Sequence, residues 1–127
     1  MNGSNSAETE AMRWFVIAER DIVAARHDLS AEPPLVESAA YHCQQACEKL
    51  IKGSLIKDGR SFPRSHNLKE LAHLVTPYHP ELTSILLSLQ EITVWGTAYR
   101  YPFEEEQQSP PTVDEILSVL DRIIELR

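Results

Sequence analysis

Apolar residues recur at three- and four-residue intervals along most of this chain, a spacing that suits helices and excludes half-buried strands. Ala11, Trp14, Phe15, Ala18, Ile22, Ala25 and Leu29 make one stripe within about 100° of helical arc, which predicts a first helix over about 7–29. Pro33-Pro34 interrupts the pattern. A second helix is expected from about Val36 to Lys57, where Asp58-Gly59 stops it. A short third helix, Leu68 to Val75, has Asn67 or Ser65 available as its cap. Leu82, Ile85, Leu86, Leu89, Ile92 and Thr93 share one face of a fourth helix that fades near Gly96. Tyr99 to Pro111 reads as non-helical, with an acidic run and a double proline. Thr112 and Glu115 then form a capping box for a last helix that buries Val113, Ile116, Leu117, Leu120, Ile123 and Ile124. The expectation is an all-α, up-and-down bundle of four major helices plus one short helix. Its core should hold Trp14, Ala18, Ile22, Leu50, Leu86, Leu89, Leu117 and Leu120.

The 127 residues suffice for a single domain over 1–127, with Met1 to Ser6 read as a disordered leader. A net charge of −7 argues against bulk nucleic-acid binding, which needs a basic footprint. No apolar run approaches the roughly 20 residues that cross a bilayer, and no secretory signal is visible, so a cytoplasmic protein without membrane contact is expected. Cys43 and Cys47 stand one helical turn apart with parallel Cβ vectors, which disfavours a disulfide, and no Cys-x-x-Cys pair offers a zinc site. Two reduced, half-buried thiols are expected, with no metal and no cofactor.

The second helix is unusual in what its polar side carries. At about 100° per residue, His42, Gln45, Lys49 and Lys52 fall on one side, with Tyr41 and Glu48 at its flank. Ala40, Cys43, Ala46, Cys47, Leu50 and Ile51 fall on the other. An imidazole, a carboxamide and two ammonium groups within about three turns suit an anionic, hydrogen-bonding ligand such as a nucleotide. The same residues also read as a solvated face with a Glu48–Lys52 pair.

The chain resembles the HEPN domains (higher eukaryotes and prokaryotes nucleotide-binding). The resemblance rests on Trp14-x3-Ala18-x2-Asp21-Ile22-x2-Ala25, on Ala40-Tyr41-His42-Cys43-Gln44-Gln45-Ala46-Cys47-Glu48-Lys49-Leu50-Ile51-Lys52, on Ser65-His66-Asn67-Leu68-x2-Leu71, and on Arg100-Tyr101-Pro102. It implies a helical bundle, usually a homodimer, that binds a nucleotide or small phosphorylated ligand and works beside a separate minimal nucleotidyltransferase, in a pair of toxin–antitoxin type. On that basis Tyr41, His42, Gln45, Glu48, Lys49, Lys52, His66, Arg100 and Tyr101 are the expected ligand-binding set, in one locally positive cleft. No residue is assigned a catalytic role. The chain has no Gly-Ser with paired Asp-x-Asp, so transferase chemistry would belong to another chain. His66, just before a helix, could instead cap it.

The family also contains ribonuclease toxins with an Arg-x4-6-His motif late in the bundle, and such a metal-independent ribonuclease is one alternative. Arg60 with His66 and Arg20 with His27 fit that bare spacing, but the first pair is in the loop before helix three and the second in helix one. Both read as coincidental. A purely structural, antitoxin-like partner is the other alternative. Val119, Leu126 and Trp95 fall outside the main apolar faces and lend some support to a dimer.

Overall fold

The computed structural model describes residues 3–97 and 110–127, with side chains from Ser6 onward. Five α-helices are present among them: α1 (Gly3–Ser30), α2 (Val36–Lys57), α3 (Leu68–Val75), α4 (Thr83–Leu89) and α5 (Val113–Leu126). Two 3-10 segments, Pro80–Leu82 and Gln90–Gly96, flank α4. No strand occurs among the described residues, and the all-α bundle expected from the periodicity is what forms. Helix α1 begins at Gly3, about a turn ahead of the start expected near Ala7.

α2 is the central element. It packs along α1 through small side chains: Ala11, Ala18 and Ala25 on one helix, Ala39, Ala40 and Ala46 on the other, all buried. Small residues let two backbones approach closely, and Gly53 shows how closely: a Cβ there would lie 2.6 Å from the Phe15 ring. α2 ends as its sequence dictates. Gly59 takes φ 76, and the Arg60 and Gly59 amides donate to the carbonyls of Leu55 and Ile56, closing a Schellman turn. Asn67 caps α3 by accepting from the Glu70 amide, and Thr112 with Glu115 forms the expected capping box on α5.

Expectations fail in two elements and at Trp14, which is only partly buried and stands outside the core cluster. The fourth helix is not continuous: α4 stops at Leu89 and the chain tightens into 3-10 geometry. Ile92, Thr93 and Val94 are β-branched and poor in an α-helix. The Thr93 hydroxyl donates to the Gln90 carbonyl and accepts from the Leu68 amide, so it is committed away from the α ladder. Leu86, Leu89, Ile92 and Trp95 recur every third residue, the 3-10 period, and all four pack into the core or against it. On α5, Leu117 is 45% exposed whereas Val119 is buried. The inward face is centred on Ile116 and Ile123 and is rotated by roughly 50° from the expected one, toward Val119 and Leu126. Trp95 and Leu126 also pack against the core, so none of these three residues supports a dimer.

Candidate functional site

α2 is buried on almost every side. Gln44, Glu48 and Lys52, at successive i,i+4 positions, are 0%, 3% and 6% exposed. The loop after α2 covers this edge through Phe62 and His66, and the Gln90–Gly96 segment closes it from beyond, because a Cβ on Gly96 would come within 2.8 Å of Gln44 Oε1. Buried polar groups require partners, and these find them among themselves.

Two carboxylates organise the arrangement, and each holds one lysine and one imidazole. Asp21 of α1 accepts from Lys49 Nζ at 2.7 Å and from His42 Nδ1 at 2.9 Å. Glu48 accepts from Lys52 Nζ at 3.0 Å, from His66 Nδ1 at 2.9 Å and from Gln44 Nε2 at 3.2 Å. Gln45 Nε2 donates to Gln44 Oε1 at 2.7 Å and so joins the Glu48 half. Gln44 Nε2 also reaches the His66 carbonyl at 3.3 Å. Lys52 Nζ additionally sits 5.2 Å from the Phe62 ring centre and 5.9 Å from that of Trp14, and the two rings meet edge to face.

Burial of Glu48 opposes its charge, but the bonds from Lys52, His66 and Gln44 outweigh that cost and hold its carboxyl below its ordinary value of 4.5. With Glu48 ionised, His66 donates from Nδ1, which leaves Nε2 directed away from the carboxylate. That ring is 81% exposed, while His42 and Lys49 are 29% and 20% exposed. Among these groups the charges of Asp21 and Glu48 are matched by those of Lys49 and Lys52, so the seam is balanced while both imidazoles are neutral. The local positive charge expected of the cleft is therefore not supplied by the two lysines.

The expected site residues sort clearly. Glu48, Lys52 and His66 form one cluster, which Gln45 joins through Gln44, and His42 and Lys49 form the other around Asp21. Tyr41 lies edge-on to the His42 ring, centroids 5.4 Å apart. Arg100 and Tyr101 lie outside the described residues. The Glu48–Lys52 pair is buried rather than solvated, and His66 binds a carboxylate while Asn67 does the capping. Asp21 and Gln44 were missed. Asp21 had a visible signal, a carboxylate set within the stripe of Ala18, Ile22 and Ala25. Gln44 had a weaker one, a carboxamide between Cys43 and Cys47 on the inward side.

The thiols of Cys43 and Cys47 are fully buried rather than half-buried. Burial, reinforced by Asp21, pushes Cys43 up to about 12; burial, with Cys43 and Glu48 nearby, does the same to Cys47. Both are poor nucleophiles and poor metal ligands in this state. No group of three or more potential metal ligands occurs among the described residues. Of the residues with ribonuclease-like spacing, Arg60 is occupied elsewhere. Its guanidinium donates to the Leu74 carbonyl at the end of α3 and stacks 4.1 Å from the Tyr78 ring centre. Arg20 and His27 are exposed on α1. A separate hollow of about 500 Å³ lies between the Gln90–Gly96 segment and α5. Glu91, Asp114 and Glu115 outnumber Arg122 in its lining, which disfavours an anionic ligand there.

No helix among the described residues is long and apolar enough to cross a membrane. In comparisons with known proteins, the model of one family, described as the HEPN domain, matches residues 11–127. No curated protein and no solved structure gave a match.

Proposed function

We propose, from the premise that the chain belongs to the HEPN domain family, that it is a non-catalytic binding module acting with a separate minimal nucleotidyltransferase. It takes a nucleotide, or the phosphorylated substrate of that partner, along the α2 seam. The observation that carries this reading is the seam's construction. Partly exposed donors on His42, Gln45 and Lys49 and the exposed His66 are held in fixed orientations by Asp21, Gln44 and Glu48, which are themselves buried. Groups oriented before a ligand arrives lose little freedom when it binds. Lys49 is the cation best placed to meet a phosphate, since Lys52 is enclosed by Glu48 and two rings. Tyr41 borders this edge and offers a ring for a base to stack on. Arg100 and Tyr101 follow Gly96 closely in sequence, and Gly96 touches Gln44; they complete the proposed set. The module is proposed to act as a homodimer in the cytoplasm, in a pair of toxin–antitoxin type.

Isothermal titration with ATP, GTP and their monophosphates, with and without the nucleotidyltransferase, tests the binding. Lys49→Ala should weaken it about tenfold to a hundredfold, as loss of a charged hydrogen bond does. Absence of heat with every nucleotide in both settings would exclude nucleotide binding. A light-scattering mass near 14.4 kDa at high micromolar concentration would exclude the dimer.

One observation favours the ribonuclease alternative. An exposed imidazole oriented through Nδ1 by a buried carboxylate is suited to exchange a proton at Nε2. Arg60, the residue that would neutralise charge on phosphorus, is committed to α3. Cleavage of total RNA or transfer RNA that disappears in His66→Ala, with the fold retained, would establish this alternative instead.

A further inference from the structure

The outer face of α1 has a different character from the seam. Met12, Val16 and Val23 lie within about 40° of one another on the helix and are 58%, 46% and 49% exposed; Glu19 falls in the same line, and Ile17, 40% exposed, lies about 100° round from Val16 beyond Arg13 and Arg20. Met12, Val16, Ile17 and Val23 are half of the large apolar side chains exposed among the described residues. Arg13, Arg20 and His27 run along one flank of this ridge and Arg26 along the other, all exposed. None of the three arginines has a hydrogen-bond or ion-pair partner among the described residues. Glu19, the carboxylate on this stretch of the outer face, is paired with the Arg127 guanidinium. Asp21 is turned inward against Lys49 and His42. From Met12 to His27 the surface thus shows three uncompensated guanidinium charges beside an apolar ridge, on a chain whose net charge is −7.

Solubility alone needs no apolar ridge, and an isolated basic patch for bulk nucleic acid needs no ridge either. We infer that the outer face of α1 docks an acidic amphipathic helix of a partner protein, whose apolar side chains lie on Met12, Val16 and Val23 and whose carboxylates meet Arg13, Arg20 and Arg26. Apolar contact supplies burial, and charge complementarity supplies register and a fast encounter. The open hollow of about 320 Å³ between Val23, Arg26, His27 and Ser30 extends the ridge at its C-terminal end. A second copy of this chain is a poorer occupant. In a two-fold contact centred on the ridge the Arg13–Arg20 flank meets its own equivalent if the helices run antiparallel and the Arg26 flank if they run parallel, so arginine faces arginine in both orientations.

Fluorescence anisotropy of the full chain with two labelled helical peptides tests the inference. Both carry leucine at i, i+4 and i+7; one has glutamate on its flanks, the other lysine. The glutamate peptide should bind saturably, weaken with salt, and lose about tenfold or more in the Arg13→Glu/Arg20→Glu/Arg26→Glu variant and in Val16→Ser/Val23→Ser. Circular dichroism checks that these surface variants keep the fold, and Arg20→Gln serves as a milder charge loss if the triple variant does not. No saturable binding, equal binding of the lysine peptide, or indifference to these substitutions would overturn the inference. Tighter binding of single-stranded RNA or of phosphatidylserine vesicles at this face would overturn it in favour of those ligands. A dimer that dissociates in Val16→Lys/Val23→Lys would assign the face to a second copy.

Discussion

α5 and α2 are both well-packed helices, yet they treat polar side chains in opposite ways. α5 buries Ile116, Val119, Leu120 and Ile123 and leaves Asp114, Glu115, Ser118, Asp121 and Glu125 in solvent. α2 buries Gln44, Glu48 and Lys52 along with its apolar residues and satisfies them internally. The difference comes from position in the bundle. α5 lies at the rim, whereas α2 is flanked by α1, by the loop carrying Phe62 and His66, and by the Gln90–Gly96 segment. A polar residue on a helix is therefore not evidence of a wet face; it depends on what covers the helix.

The sharpest way to break this comparison is to remove the carboxylate at the centre of the α2 network. Glu48→Ala would strand Lys52 in a buried setting without its counter-charge and should cost about 3–5 kcal/mol in urea unfolding. A loss below about 1 kcal/mol would mean that the seam behaves like an exposed face. Replacing both partners by apolar residues, Glu48→Leu with Lys52→Met, should cost less than Glu48→Ala alone, because no unpaired charge remains.

Acid titration of stability sharpens the same point. The folded-state pKa of Glu48 lies below its ordinary value of 4.5. Its contribution is thus complete above about that pH and is lost as the pH falls through the folded-state value. Wild-type stability should decline more steeply below pH 4.5 than that of Glu48→Gln. Parallel acid limbs would show that the carboxylate contributes nothing there.

On α5, Ile116→Ala should cost about 2–5 kcal/mol, because that side chain is wholly buried. Thr112→Ala, which removes the capping box, should cost about 0.5–2 kcal/mol. Leu117→Ala should change stability by no more than about 0.5 kcal/mol, since the residue is 45% exposed. Reversed results at residues 116 and 117 would mean that α5 is turned toward the orientation its periodicity suggests.

That rotation marks the limit of what periodicity carries. Helix existence was legible because stripes, caps and stop signals agree: Val36–Lys57 and Leu68–Val75 begin and end where Asp58-Gly59 and Asn67 place them. The exact inward face of α5 was not, because both Leu117 and Val119 are apolar and only the neighbouring helices decide between them. The break after Leu89 was readable in the three-residue recurrence of Leu86, Leu89, Ile92 and Trp95, though an α period fits most of the same residues. At the candidate site, the residue types on α2 were legible and their partners were not. Asp21 is 21 positions from His42 and 28 from Lys49, and no local pattern reports a contact made across a helix pair.

The two thiols sealed in the core along α2 have a practical consequence. A cysteine with its pKa near 12 and no solvent access is alkylated only when the surrounding packing opens. The rate of iodoacetamide modification at Cys43 and Cys47 therefore acts as a clock on transient opening of the core around α2. A ligand or partner that slows the clock at both cysteines tightens that packing, wherever on the surface it binds.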